Sequence, residues 1–173
     1  MEAIQKLAET LKFALQAQLP GSEIEIDDGG DAAALTFEHP AHKAMCIAVL
    51  EPDPRAGGLA LMAAVVVFDI AEIGSPQALL GLMTLNTQLM TCALGVLPIN
   101  ADELALVLCR RMPAGAVEPA DLAGLYNDMM WEWAQMAPAA EAMLKAEPPQ
   151  AKPAAPSVVA PPRPRIIGSL DDF

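Results

Sequence analysis

Apolar residues in the first twenty positions recur every three or four places, at Ile4, Leu7, Leu11 and Leu15. Charged and polar residues fill most of the positions between them, so the apolar side chains share one face of a helix. A Pro-Gly pair at 20–21 ends the pattern. The segment is therefore predicted to be an amphipathic helix.

The spacing of apolar residues then changes to every second position. Ile24 and Ile26 alternate with glutamates, and the acidic, glycine-containing stretch 27–31 has the composition of a tight turn. A return strand begins at Leu35 and Phe37. Two longer apolar runs follow at 45–50 and 61–68. The loop between them, 51–58, is rich in proline and glycine. These segments predict a meander of antiparallel strands.

Helix signals return in the second half of the chain. Ser75 is placed to cap the free amides of a helix, and the proline after it suits the first turn. That helix is predicted to run from 76 to about 92. The turn residues 100–103 lie between two apolar stretches, 94–99 and 104–109, and they predict a hairpin.

The last predicted element is a helix that starts at Pro119, where leucine, methionine and tryptophan recur at helical spacing. Pro138 is expected to kink or break it. The predicted order is helix, three or four strands, helix, two strands, helix. This order is typical of an α+β fold in which helices pack on a twisted antiparallel sheet, and one such domain is predicted over 1–147.

Proline dominates the chain after about position 147, with seven prolines between 148 and 164. Proline at this density prevents both helix and sheet, so 148–173 is predicted to be a flexible tail. The stretch from Arg163 to Phe173 regains apolar residues beside both signs of charge. It is interpreted either as a short docking peptide or as an unbound end.

Charge and hydropathy exclude several classes of partner. The 173 residues carry a net charge of −12, and no basic patch offsets it, so nucleic acid is not an expected partner. The longest apolar run, 59–68, is too short for a membrane-spanning helix of about 20 residues. The N-terminus lacks the basic start and apolar run of a secretion signal. We therefore expect a cytoplasmic protein without membrane insertion, with its three cysteines reduced.

Candidate chemistry is sparse. The sequence contains no nucleophile elbow, phosphate-binding glycine loop or dinucleotide fingerprint. His39 and His42 could contact a metal if their loop folded suitably, but their position between two strands favours solvated turn histidines. Asp27, Asp28 and Asp31 lack the spacing of a calcium loop and favour a capped turn. No catalytic residue, metal or cofactor is predicted.

Two segments are more apolar than a single buried stripe requires. The predicted helix 76–92 carries leucine and methionine around most of its circumference. Strand 104–109 is apolar on both faces, with Leu104, Leu106 and Leu108 on one of them. The two segments predict a surface that associates with a second copy of the chain, and the alternative is that both are buried within one monomer.

The second half of the chain resembles the C-terminal half of class I type III secretion chaperones. In that family a leucine-rich helix ending in asparagine leads into a glycine-containing hairpin, a strand closing in a basic-then-proline turn, and a last helix with an aromatic residue. The matching stretches are LLGLMTLN at 79–86, GVLPI at 95–99, LALVLCRRMP at 104–113, and 122–133. The resemblance covers 76–136 and extends more loosely, by the order of elements, over 1–75.

This resemblance implies a small acidic homodimer in the cytoplasm that binds the chaperone-binding segment of a secreted effector and keeps it secretion-competent. It places on the dimer side Leu79, Met83, Asn86, Leu106 and Leu108. It also implies five candidate residues for effector contact, Ile4, Leu11, Met45, Ile47 and Val49. The tail 148–173 departs from the family pattern and leaves open an added docking role with the secretion apparatus or another partner.

Two other classes of function stay open. A bacterial adaptor outside secretion, with the same helix–sheet–helix build, would bind an uncharacterised protein partner. An enzyme using His39, His42 or Asp27 is the other class, and no complete catalytic constellation supports it.

Overall fold

The computed structural model of the protein describes residues 2–55, 57–100 and 103–145. Its helices and strands are α1 (Glu2–Gln18), β1 (Ile24–Asp28), β2 (Ala33–Glu38), β3 (Met45–Pro52), β4 (Leu59–Asp69), α2 (Pro76–Met83), β5 (Ala93–Pro98), β6 (Leu104–Pro113) and α3 (Leu122–Lys145). The predicted α+β class and the order of elements are confirmed, with four strands before α2. The tail predicted at 148–173 lies outside the described residues.

The strands form one antiparallel sheet in the order β1-β2-β3-β4-β6-β5. The first four strands are the predicted meander. The predicted hairpin of β5 and β6 joins the meander through β6, which pairs with β4. Strands β1 and β5 are therefore the two edges of the sheet.

The turn between β1 and β2 forms where the acidic, glycine-containing stretch predicts it. The side chain of Asp28 accepts a hydrogen bond of 2.9 Å from the amide of Gly30. Gly30 has a φ of 81°, in the left-handed region that glycine adopts without steric cost. This local geometry reverses the chain and fixes the pairing of Ile26 with Leu35.

The main core lies between one face of the sheet and the helices. Strand residues at every second position turn toward the helices, because successive side chains of a strand point to opposite faces. The largest fully buried members of this core include Leu15, Leu35, Leu50, Leu61, Leu106, Leu108, Leu122, Tyr126 and Met129.

The second helix ends earlier than predicted. Its α-helical part stops at Met83, and a single 3-10 turn, Thr84–Thr87, follows instead of two further helical turns. The chain leaves the helix because Glu132 of α3 binds the amides of Met90 and Thr91, which a longer helix would use. Asn86 also holds the start of β5 by its hydrogen bonds to Leu94. The predicted end at about 92 is wrong for this tertiary reason.

The third helix starts at Leu122, after a short 3-10 turn at Pro119–Asp121, and it is not broken at Pro138. A proline inside a helix removes one backbone hydrogen bond and costs about 3 kcal/mol. Beyond it, Ala140 is buried, and Met143 and Leu144 pack against the core, so the last two turns are stabilised by packing. Within the described ranges, none of the helices is both long and apolar enough to cross a bilayer.

Candidate functional site

A second apolar cluster lies on the face of the sheet that points away from the helices. We call this surface the open face. It is formed by strand residues and the residue after β5, and among the described residues no helix contributes to it. Its members are Ile47, Val49, Ala64, Val66, Leu97, Ile99, Ala105, Val107 and Cys109.

The open face is unusually apolar for a sheet face that no described helix covers, although four of its members, Ile47, Ala64, Ala105 and Val107, are buried by their neighbours. An antiparallel sheet with one solvated face normally alternates apolar and polar residues along each strand. On β6 both faces are apolar, because Leu106 and Leu108 point to the helices while Ala105 and Val107 belong to the open face. The half-buried rim of the cluster, with Val49, keeps apolar surface available to a partner.

Strand β3, at one side of the open face, is held from behind by α3. The hydroxyl of Tyr126 donates a hydrogen bond of 2.7 Å to the carbonyl of Ile47, and its ring packs edge-on against Phe37 at 5.1 Å between centroids. Tyr126 is fully buried, so this bond forms out of contact with water. The contact joins α3 to the backbone that carries the open face.

The five predicted effector-contact residues fall into two groups. Met45, Ile47 and Val49 alternate along β3 with residues of the main core, and Ile47 and Val49 belong to the open face. Ile47 is itself buried, so Met45 and Val49 are the two that keep accessible side-chain surface. Ile4 and Leu11 are buried in the main core beneath α1. The helix residues therefore have almost no side-chain surface to offer a partner, because their helical spacing reflects packing against the sheet.

The five predicted dimer residues are likewise divided. Leu106 and Leu108 are fully buried under the helices. They pack in the core of the protomer and do not form the dimer contact that was predicted for them. Leu79 and Met83 are half-buried against the same core. The side chain of Asn86 forms hydrogen bonds to the backbone of Leu94 in the same protomer.

The predicted dimer residues do not include two exposed apolar side chains on and after α2. Leu80 is 67% exposed on α2, and Met90 is 88% exposed in the loop after it. The sequence did contain a signal, because a helix that is apolar around most of its circumference must expose part of that surface when only one side is covered. The pattern alone does not show which leucine is left out.

Asn86 closes part of the edge of β5. Its side-chain amide accepts a hydrogen bond of 2.5 Å from the backbone N–H of Leu94 and donates one of 3.2 Å to the backbone carbonyl of Leu94. In an antiparallel ladder every second residue of an edge strand directs both groups outward. The next two such positions are Val96 and Pro98, and proline has no N–H to donate. Of the three outward-facing residues, Leu94, Val96 and Pro98, Val96 alone has an N–H and a carbonyl that Asn86 does not bind.

The opposite edge, β1, has acidic surroundings. A groove of about 420 Å³ lies beside it, and its carboxylates belong to Glu23, Glu25 and Glu38, the last of which pairs with Lys43 at 3.2 Å. Met45 of β3 lines the same groove. An extended partner paired with β1 would thus meet an edge backbone beside negative charge, while Met45 lies two strands further into the sheet, on β3.

The loop after α2 is tied to α3 by one carboxylate. Glu132 accepts hydrogen bonds from the amide of Met90, from the amide of Thr91 at 3.1 Å and from the hydroxyl of Thr91 at 2.6 Å. Burial raises the pKa of this carboxyl, but these hydrogen bonds and one from Cys92 outweigh it and lower the pKa to about 2. The exposed Met90 is therefore held on an anchored loop.

His39 is buried, with 2% of its surface exposed, and neither ring nitrogen has a partner. The expectation of solvated turn histidines is wrong for this residue. Backbone hydrogen bonds from the His39 amide to Ala44 and from the Lys43 amide to His39 close the turn and keep the ring inside. Burial, followed by the neighbouring His42 ring at 5.0 Å, lowers the pKa of His39.

The described residues include no group of three or more histidine, cysteine and acidic side chains arranged to hold a metal. Burial raises the pKa of Cys46 to about 12 and is the main cause that raises the pKa of Cys92 to about 11. Burial also raises the pKa of Cys109. These pKa values favour thiols over the thiolates that act as nucleophiles near neutral pH.

Comparison of the chain with protein-family models and with curated proteins gave no match.

Proposed function

We propose that this protein is a cytoplasmic chaperone that, as a homodimer, binds an extended segment of another protein. In this proposal the client is the N-terminal chaperone-binding segment of a type III secreted effector, which the chaperone keeps secretion-competent. The observation that supports binding is the apolar open face of the sheet, which no described helix covers. The resemblance of 76–136 to class I type III secretion chaperones supports the choice of client.

The sheet offers a physical mode for such binding. An extended segment pairs its backbone with an edge strand, while alternate side chains contact apolar surface. β1 is the less protected edge, because Asn86 and Pro98 restrict β5. The open face begins two strands away from it, at β3, so a client that pairs with β1 reaches the open face by continuing across β2. Binding of this kind requires no catalytic group.

The charge of the chaperone selects among client segments. Three carboxylates, Glu23, Glu25 and Glu38, line the groove beside β1 against one cation, Lys43, and the whole chain carries −12. Basic segments are therefore attracted, and their association weakens as salt screens the charges. Acidic segments are repelled from the same edge.

The dimer in this proposal forms through α2 and the loop that follows it. Leu80 and Met90 replace Leu106 and Leu108 as its apolar contacts, because the first two are exposed and the last two are buried. The open face then stays available to the client in each protomer.

Binding is tested with the N-terminal segments of secreted proteins encoded beside this gene, each titrated calorimetrically into the full chain. The double variant Val49→Thr/Val66→Thr makes the open face more polar with little change in side-chain shape. We expect it to weaken binding about tenfold, which corresponds to about 1.4 kcal/mol. Phe13→Ser is the matched control, because Phe13 is 76% exposed on α1, on the other side of the sheet.

Equal affinities of the double variant and the original chain would reject the open face as the binding site. If the secreted segments fail to bind while another protein binds in a manner sensitive to Val49→Thr/Val66→Thr, the adaptor function replaces the secretion function.

A further inference from the structure

An apolar groove beside α2 is separate from the open face. It has a volume of about 360 Å³, and it is formed by the 3-10 turn Ile70–Ile73 and the first turn of α2, including Pro76 and Leu79. Ile73 and Leu79 belong to the core between the sheet and the helices. The groove therefore lies on the helix side of the sheet and is not part of the client surface proposed above.

Carboxylates lie next to this groove. A second, smaller groove of about 290 Å³ shares Ile70 and Ala71 with it and is lined also by Asp69, Glu103 and the exposed Leu104. Glu72 is exposed in the same 3-10 turn. None of the described basic residues lines either groove. The site thus presents apolar side chains flanked by negative charge.

The chain contains one segment with the complementary pattern. Arg163 and Arg165 are two of the ten Lys and Arg residues of the chain. Arg165 directly precedes Ile166 and Ile167, and Leu170 lies three positions further on. Guanidinium groups pair well with carboxylates, and the two isoleucines supply the apolar surface that such a groove removes from water.

The end of α3 lies close enough for this segment to reach the groove. The sulfur of Met143 lies 3.9 Å from the position that a Cβ on Gly81 of α2 would occupy, so the last turns of α3 run beside α2. From there the groove is about one length of α2 away, roughly 12 Å for eight residues. Eighteen positions separate Lys145 from Arg163, and an extended proline-rich chain of that length spans roughly 56 Å.

We propose that the groove formed by Ile70–Ile73, Pro76 and Leu79 binds the segment Arg163–Leu170 of the same chain, with the arginines beside Asp69, Glu72 and Glu103 and the isoleucines in the groove. Tethering favours this contact, because a short linker holds the segment at an effective concentration in the millimolar range. This inference goes beyond the proposed function and does not depend on any client.

The test uses the full chain, labelled with nitrogen-15, and follows the backbone amide signals of Ala71, Gly74 and Leu79. The variant Ile166→Asp/Ile167→Asp is expected to shift all three signals, because the groove loses its occupant. The matched control is Val158→Asp/Val159→Asp, which changes an apolar pair in the same proline-rich region. No arginine adjoins this pair, so the control should leave the three signals in place.

A charge-reversal series tests the orientation of the segment. Arg163→Glu/Arg165→Glu should shift the same signals, and adding Glu72→Lys should partly restore them. Signals that do not respond to the isoleucine variant would overturn the proposal. Signals that return to the positions of the isoleucine variant on tenfold dilution would overturn it as well, because the occupant would then belong to a second copy.

Discussion

A single carboxylate, that of Glu132, connects the loop after α2 to α3. It has a low pKa because it accepts hydrogen bonds from two amides and a hydroxyl, although burial acts in the opposite direction. Hydrogen bonds to a charged group contribute more to stability than neutral ones do. The position of Met90 on the surface therefore depends on the ionisation of a residue that lies far from it in the sequence.

We expect Glu132→Gln to lower the free energy of unfolding at pH 7 by about 2 kcal/mol. The carboxyl has a pKa of about 2 in the folded chain against 4.5 as its ordinary value. A depressed folded-state pKa contributes stability above the ordinary value and loses it as the pH falls toward the folded value. The difference in free energy of unfolding between Glu132→Gln and the original chain should therefore be smaller at pH 3 than at pH 7. Urea unfolding at the two pH values measures it.

Glu141→Gln is the control for this measurement. Glu141 pairs with Lys145 at 3.1 Å on the exposed side of α3, and exposed pairs of this kind contribute little. A loss as large for Glu141→Gln as for Glu132→Gln would contradict the role assigned to Glu132.

The elements differ in how far the sequence predicts them. Helix α1 and strands β1 to β4 follow from apolar spacing and local turn chemistry, because each is bounded by its own glycines or prolines. The end of α2 does not follow from its own sequence, since it depends on the hydrogen bond that Glu132 accepts from the Thr91 amide and on the one that Asn86 donates to Leu94. The inward position of His39 also depends on how its turn packs.

The candidate site was predictable only in part. The apolar excess of 104–109 indicates that both faces of this strand meet apolar surroundings, and it correctly separates Leu106 and Leu108 from Ala105 and Val107. It does not indicate which set faces the helices, because alternation with period two is symmetrical. The resemblance to class I type III secretion chaperones places Leu106 and Leu108 on the dimer side, and this alternation cannot correct it.

Opening the edge of β5 gives a prediction at the scale of elements. Asn86→Ala removes both hydrogen bonds to Leu94 and should lower the free energy of unfolding by about 1–2 kcal/mol. It should also speed aggregation, since an unprotected edge strand pairs with other chains. Urea unfolding and light scattering during incubation measure the two effects.

Asn127→Ala, at an exposed position of α3, is the matched control. If Asn86→Ala aggregates no faster than Asn127→Ala, the side chain of Asn86 does not protect the edge.

At the scale of the whole molecule, the sheet separates two apolar environments. The helices cover one face and form the main core, while the open face keeps a smaller cluster. Apolar surfaces rimmed by polar residues are typical of sites that bind other proteins. The exposed Leu80 and Met90 lie outside both clusters.

We expect Leu80→Glu/Met90→Glu to halve the mass of the particle measured by size exclusion with light scattering. The charges would be placed at side chains that the proposed dimer removes from water, while the fold of each protomer would lose little because both side chains are already exposed. Phe13→Glu supplies an equally exposed apolar-to-acidic change on α1 and should leave the mass unchanged. A monomeric original chain, or a dimeric double variant, would contradict this dimer surface.

The inequality of the two sheet edges limits how the molecule can assemble. A strand that pairs with β1 extends the sheet by one, but the next copy would need an accepting edge at β5, where Asn86 and Pro98 leave little to pair with. Head-to-tail stacking, in which β1 of each copy would pair with β5 of the next and propagate into a fibre, is thus hindered at every step. The restricted edge of β5 thus works against polymerisation through the sheet, whatever β1 binds.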